Sequence, residues 1–210
     1  MAPIRVRPTR ADIAIADAIA RHTRRSTERA AGILTWGADE HIICGLAAGW
    51  WLYSRHRSGH ERRVADHLLI TALSASALPH LLKTIFDQER PDRRTVVGHW
   101  RGIPFSGKKC DAFPSGHAVH IGALASAASR LPASQRNLTW GLSAGLVLTR
   151  VVLLAHWLSD VVVGLAVGIF LERMLRRVTG YGSEPEMPGV KGQVSDPAGS
   201  RLWEFFRRIR

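Results

Sequence analysis

The chain has 210 residues and a formal charge of +12, from 29 Lys and Arg against 17 Asp and Glu. That length is enough for one domain with its own core. The basic residues lie in the tails and between apolar blocks, a pattern that argues against nucleic acid and for a membrane protein meeting anionic lipid or phosphate.

Residues 9–31 predict an amphipathic helix. Thr9 caps it with Asp12 three residues on, and Ile13, Ala16, Ile19 and Ala20 share a face. Its arginines at 21, 24, 25 and 29 suit a membrane surface, and equally a plain solvated helix. Arg5, Arg7 and Arg10 precede no continuous apolar stretch, so a cleaved signal peptide is not expected. The first apolar block covers residues 33–53, with Trp36 near one end and Trp50, Trp51 and Tyr53 at the other, as interfacial aromatics are placed. Inside it, Asp39, Glu40 and His41 either face a bundle interior or show that the embedded part starts near Ile42. A basic loop at 55–63 leads to the second block, 64–82, rich in Ala and Ser.

Residues 83–113 form a loop with seven Lys or Arg. The third block runs from the turn Pro114-Ser115-Gly116-His117 to Leu131, and 132–137 is a short connection. From 138 to 171 nearly everything is apolar or small. As one helix this stretch would be about 50 Å long, against a bilayer core of about 30 Å. It is therefore expected to turn back, giving blocks at 138–149 and 156–171 whose shared end carries Arg150, His156 and Asp160. Gly141-x-x-x-Gly145 and Gly164-x-x-x-Gly168 predict close backbone approach in these two blocks. Two cysteines, Cys44 and Cys110, make no disulfide framework. Residues 181–200, rich in Gly, Pro and Ser, read as disordered. Residues 201–210 set Leu202, Phe205, Phe206 and Ile209 opposite arginines, as in a short interfacial helix.

The fold class expected is all-α: a polytopic membrane helical bundle of about five spanning helices plus an N-terminal amphipathic helix. The divisions are 1–32 for the amphipathic segment, 33–175 for the membrane domain and 176–210 for a flexible basic tail. A soluble helical bundle competes, because blocks this rich in Ala and Gly are marginal spans. Aromatic ends and arginine-rich connections favour the membrane.

With alternating crossings, Lys83, Arg90, Ser115, Gly116, His117, Arg150, His156 and Asp160 gather at one rim. Lys83, Arg90 and Arg150 supply permanent positive charge for the oxygens of a phosphoryl group. Gly116 opens a helix, where free N–H groups and the macrodipole favour an anion. His156 and Asp160 share a helix face, so the carboxylate can accept the Nδ1 proton and present Nε2 as nucleophile. His117 can protonate the departing alkoxide and later activate water. The spacings of His117/His120 and His156/Asp160 also suit zinc, but three cations in the same rim would repel a divalent metal. His67, His80 and His120 are expected to be hydrogen-bonded core residues.

Lys83-x6-Arg90-Pro91, then Pro114-Ser115-Gly116-His117, then Arg150-x5-His156-x3-Asp160 resembles the three-part signature of the type 2 phosphatidic acid phosphatase family. That superfamily also includes the vanadium-dependent haloperoxidases. The resemblance spans about residues 64–172. It implies a helical membrane phosphatase that needs no metal or other cofactor and forms a phosphohistidine. His156 is then the nucleophile, Asp160 its orienting partner and His117 the acid, with Lys83, Arg90, Ser115, Gly116 and Arg150 binding phosphate. Thr149 stands where the family usually has Ser, and the N-terminal part is one span short of the six usual in the lipid phosphatases.

The expected substrate is a lipid phosphomonoester or diphosphate: a polyprenyl phosphate or diphosphate, phosphatidic acid, or phosphatidylglycerophosphate. The expected partners are that lipid and the bilayer, with no nucleic acid. The alternatives are a vanadate-dependent haloperoxidase-like enzyme and a non-catalytic lipid-phosphate binder. Intact catalytic residues argue against the last, and membrane blocks with small size against the first. Loop residues His99, Trp100, Arg101, Lys108 and Lys109 are placed to read a head group. Lys and Arg divide 15 to 14 between the motif side and the other side. Discounting those that serve phosphate, this favours an outward-facing site in a bacterial-type inner or plasma membrane.

Overall fold

The computed structural model describes residues 4–94 and 110–182. The disordered stretch and terminal helix expected after residue 182, and the loop residues 99–101, 108 and 109, lie outside the described residues. In chain order, β1 (Ile4–Arg5) leads to α1 (Arg10–His22), α2 (Arg25–Leu34), a 3-10 turn (Thr35–Ala38) and α3 (Glu40–Ser54). Then come α4 (Gly59–Ile85), β2 (Phe86–Asp87), α5 (Pro91–Arg94), α6 (Gly116–Ala128), α7 (Ala133–Val152) and α8 (Leu158–Thr179). β1 and β2 form a short parallel pair, Ile4 opposite Phe86.

The expected capping box is present: the Thr9 hydroxyl accepts the Asp12 N–H, and the Asp12 carboxylate accepts the Thr9 N–H at 2.9 Å. The single helix expected over 9–31 is two. The chain is extended at Thr23 and Arg24, which sends α1 and α2 to different neighbours. The apolar face of α1, Ile13, Ile19 and Ala20 around buried Ala16, packs on Leu154 and Trp157. α2 packs beside α7 and the 3-10 turn. Asp39 caps α3 by accepting the His41 and Ile42 N–H groups, so the apolar part of that helix starts after the cap.

α6 is the central element, and ten of its thirteen residues are buried. It lies so close to α8 that glycine is required at the crossing. A Cβ on Gly164 would sit 2.7 Å from the Ser115 carbonyl oxygen. One on Gly168 would overlap the Val119 carbonyl, and one on Gly122 the Leu165 carbonyl. Gly141 and Gly145 differ from expectation, since a Cβ at either meets nothing within 4 Å. They lie on an exposed face of α7, so among the described residues their spacing reflects no packing. The core between helices is built largely of Ala and Val, including Ala72, Ala118, Val147, Val151 and Val161.

Among the described residues, α4 alone is long and apolar enough to cross a membrane by length and composition. α3 and α6, at 15 and 13 residues, are short for a span. α7 opens on Ser, Gln, Arg and Asn, and the last turns of α8 carry Glu172, Arg173, Arg176 and Arg177. The bundle nevertheless turns large apolar side chains outward, among them Leu46 (70% exposed), Leu81 (62%), Leu142 (60%) and Phe170 (67%).

Two polar clips close the end of the bundle where α4 begins and α8 ends. Arg55 pairs with Asp66 at 2.6 Å, and Asp66 also accepts the Trp51 indole N–H at 2.8 Å. Fully buried His67 contacts Thr179 at 2.8 Å and Glu172 at 3.1 Å, while Ser126 and Arg176 donate to the same Glu172 carboxylate. His67 and His120 are thus core residues, His120 with Nδ1 3.3 Å from the Gly116 carbonyl. His80 is not: its side chain is 68% exposed, 3.8 Å from Glu40.

Gly168→Ala is expected to cost roughly 1–3 kcal/mol or more by overpacking the α6–α8 crossing. Gly141→Ala and Gly145→Ala should be neutral or stabilise by up to about 1 kcal/mol through helix propensity. Melting of the detergent-solubilised variants checks both, and equal destabilisation at residues 141 and 168 would contradict the crossing.

Candidate active site

The ends of α4 and α7 and the starts of α6 and α8 meet at the rim opposite the polar clips. The link between α7 and α8, residues 153–157, is stitched to residues 88–92. The Arg90 Nη1 donates to the Ala155 carbonyl at 3.0 Å, and the Trp157 indole N–H donates to the Glu89 carbonyl at 2.8 Å. The Asp92 N–H donates to the Leu154 carbonyl at 3.1 Å. This seam brings the first and the third part of the signature side by side. Leu154 takes a left-handed φ of 53°, uncommon for a bulky residue, and is held there by burial against Ala16, Ala112 and Trp157.

His156 lies in this link, outside both helices, and is 3% exposed. Its Nδ1 is 2.7 Å from the Ala112 carbonyl oxygen. A carbonyl only accepts, so Nδ1 carries the proton and Nε2 presents its lone pair. Burial, with Arg90, Arg150 and Lys83 nearby, holds the imidazole well below its ordinary pKa. The hydrogen bond expected from Asp160 is therefore made by Ala112. The Asp160 carboxylate stands 3.7 Å from Nδ1, and its Oδ2 accepts the Trp157 N–H at 3.0 Å. Asp160 reaches the ring through charge and by closing the first turn of its helix.

The cations converge as the spacing predicts. Arg90, at the entry to α5, is buried, and its Nε and Nη2 both point at Asp111 at 2.7 Å. Lys83, in the last turn of α4, lies 3.8 Å from the same carboxylate. Arg150, in the last turn of α7, is 3% exposed and donates from Nη1 to the Thr35 hydroxyl at 3.0 Å. Its buried Nε has no hydrogen-bond partner among the described residues. Ser115 caps α6, and its N–H donates to the Asp160 carbonyl at 3.2 Å, so the starts of α6 and α8 are joined. A Cβ on Gly116 would meet Pro79 at an ordinary 3.6 Å, so packing does not demand glycine there. His117 follows in the first turn of α6, half-buried and within electrostatic reach of Arg150 and Lys83.

Four participants escape a reading of motifs: Asp111, Ala112, Thr35 and Asp12. Asp111 leaves one signal, an acid in a basic loop three residues before Pro114. Ala112 acts through its carbonyl, which every residue has, and its N–H is fixed on the Gln88 carbonyl at 3.1 Å. Asp12 binds the start of α8 from 147 residues away, accepting the Ser159 N–H at 2.9 Å and the Ser159 hydroxyl at 2.8 Å.

The PAP2 superfamily profile matches residues 64–182. Lipid A 1-phosphatases of Rhizobium johnstonii and Rhizobium etli are each 35% identical to the chain over 106 residues. Those matches cover 50% of this chain and only 43% and 46% of the relatives, so the shared stretch spans under half of either relative's length. The fold resembles that of Aquifex aeolicus LpxE, with a TM-score of 0.58 at 13% identity over 80% of this chain and 95% of that one. It also resembles a transmembrane PAP2 type phosphatidylglycerolphosphate phosphatase from Bacillus subtilis, with a TM-score of 0.55 at 18% identity over 79% and 83% of the two chains.

Asp111 offsets one of the three positive charges and shares its carboxylate between Lys83 and Arg90. Asp111→Asn leaves the pocket more positive, and at an effective dielectric of about 20 this amounts to at least ~1 kcal/mol for a nearby anion. Inorganic phosphate is expected to bind about tenfold tighter, read by titration calorimetry. Unchanged or weaker binding would show that Asp111 does not screen the pocket.

Proposed function

The chain belongs to the PAP2 superfamily, and from that premise we propose that it is a membrane lipid phosphatase acting through a phosphohistidine. The observation that carries this reading is the neutral His156, its proton fixed on Ala112, beside Arg90 and Arg150. Nε2 attacks phosphorus, the bond to the lipid oxygen breaks, and His117 gives that oxygen its proton. Water then attacks the phosphohistidine while His117 takes a proton back, and inorganic phosphate leaves. Lys83, Arg90 and Arg150, with the Ser115 hydroxyl and the Gly116 N–H at the start of α6, hold the three phosphoryl oxygens and the charge that develops on them. Three fixed cations do the work that a metal ion does in other phosphatases, so the reaction is proposed to need none.

The substrate proposed is a phosphomonoester or diphosphate on a membrane lipid, of the polyprenyl, phosphatidic acid or phosphatidylglycerophosphate class. The names of the rhizobial relatives add the phosphate on a lipid A sugar to this set. α3, α4, α6, α7 and α8 are proposed to sit across the bilayer. α6 is enclosed by its neighbours and needs no lipid-facing surface, and the outward Leu and Phe side chains meet acyl chains. The rim is proposed to face outward in a bacterial inner or plasma membrane.

Detergent-solubilised protein is expected to release phosphate in excess EDTA, with orthovanadate as an inhibitor that mimics five-coordinate phosphorus. His156→Ala should lose at least about a thousandfold in kcat, as removal of a covalent nucleophile does. Activity that EDTA abolishes, or a fully active His156→Ala, would refute the mechanism. Orientation is checked separately at exposed Cys110 on the rim. In intact cells a membrane-impermeant maleimide should label the protein, and Cys110→Ser should remove the label; labelling only after lysis reverses the orientation.

A further inference from the structure

The family match begins at residue 64, yet several of the described residues before it make contacts at the rim. α1 lays Ile13, Ala16 and Ile19 over Leu154 and Trp157, the residues that flank Ala155 and His156. Its Asp12, 3% exposed, accepts both the N–H and the hydroxyl of Ser159, one residue before Asp160. Trp157, which occupies the N-cap of α8, makes no side-chain cap of its own, so Asp12 fills that role from another helix. The same carboxylate caps α1 through Thr9, so the positive ends of two helices share one negative charge. Burial pushes the Asp12 pKa up, but the groups donating from Ser159 and Thr9 outweigh it and hold the carboxyl below its ordinary value. On the far side of the pocket, the Thr35 hydroxyl accepts from Arg150 Nη1 at 3.0 Å. β1 completes the set by pairing with β2, and the Val6 N–H donates to the Asp87 carbonyl at 2.8 Å, three residues before Arg90.

We propose that the segment from β1 to the 3-10 turn is a clamp on the catalytic rim, with Asp12 and Thr35 as positioning residues for the His156 link and for Arg150. The inference rests on the phosphoryl-transfer reading of the site. Neither residue touches the phosphoryl group. Asp12 fixes the first turn of α8, and with it the angle of the link that carries His156. Thr35 fixes the guanidinium of Arg150, whose Nε is left for an oxygen of the substrate. A nucleophile and a cation held at the wrong angle keep substrate affinity and lose transition-state binding.

The test uses the full chain in detergent, with Thr35→Val, Thr35→Ser, Asp12→Ala and Asp12→Asn. Phosphate release from dioctanoyl phosphatidic acid, orthovanadate affinity and melting temperature are measured for each. Thr35→Val and Asp12→Ala should each lower kcat and orthovanadate affinity about tenfold, with KM within about twofold. Thr35→Ser, which keeps the hydroxyl, should recover most of the loss, and Asp12→Asn should fall between wild type and Asp12→Ala. The clamp is overturned if kcat and orthovanadate affinity are unchanged in both severe variants. It is equally overturned if they fall only in proportion to the fraction of protein still folded, or if Thr35→Ser rescues nothing. A wild-type protein that releases no phosphate from any of the lipid classes proposed above would sink the parent reading instead, and orthovanadate binding would still judge the clamp.

Discussion

The rim depends on the seam between residues 88–92 and 153–157. Three hydrogen bonds, to the carbonyls of Glu89, Leu154 and Ala155, lock two segments that sit more than sixty positions apart in the chain. A fourth link, through Ala112, ties the imidazole of His156 to the Gln88 backbone. Each of these contacts has a backbone carbonyl as its acceptor, so the geometry survives many side-chain changes. The buried positive group, Arg90, is part of the seam itself. Moving it would shift His156 too.

The helices explain why the seam can exist at this end. α6 and α8 cross on glycine at 122, 164 and 168, with backbone nearly touching backbone. That closeness brings the two helix starts together through the bond from the Ser115 N–H to the Asp160 carbonyl. Two positive helix ends then lie beside three cationic side chains. At the other end, Glu172 gathers His67, Ser126 and Arg176 into one buried cluster. The bundle is polarised: a buried polar clip lies at one end and a cluster of cations at the other.

Much of this could be read from residue type and spacing. Lys83, Arg90, the Ser115-Gly116-His117 turn, Arg150, His156 and Asp160 are side chains whose chemistry is specific, and alternating helices carry them to one rim. The turn-back near residue 155 followed from helix length alone. What escaped did so for physical reasons. Ala112 contributes a carbonyl that no motif can mark, and it displaced Asp160 from the hydrogen bond that spacing had assigned to it. Gly141 and Gly145 have the same spacing as Gly164 and Gly168 but face nothing, because spacing says which residues share a face and not what that face meets. His80 looked like His67, yet one side of α4 faces the core and the other does not. The break at Thr23 reflects where α1 and α2 find partners, which local propensity does not contain.

Convergence of positive groups is unfavourable unless each is held in place, and the anchors here are fewer than the donors. A guanidinium offers five N–H groups. Arg90 places three of its nitrogens on Asp111 and Ala155, which fixes its plane; among the described residues these contacts use three of its five N–H groups. Arg150 is fixed by a bond to Thr35, while its Nε has no partner among the described residues. A buried donor without an acceptor costs on the order of 1–3 kcal/mol, and that cost vanishes when an anion with several oxygens arrives. The arrangement therefore favours a ligand with more acceptors than one carboxylate can offer, and a tetrahedral phosphoryl group meets that condition where a second acidic side chain would not.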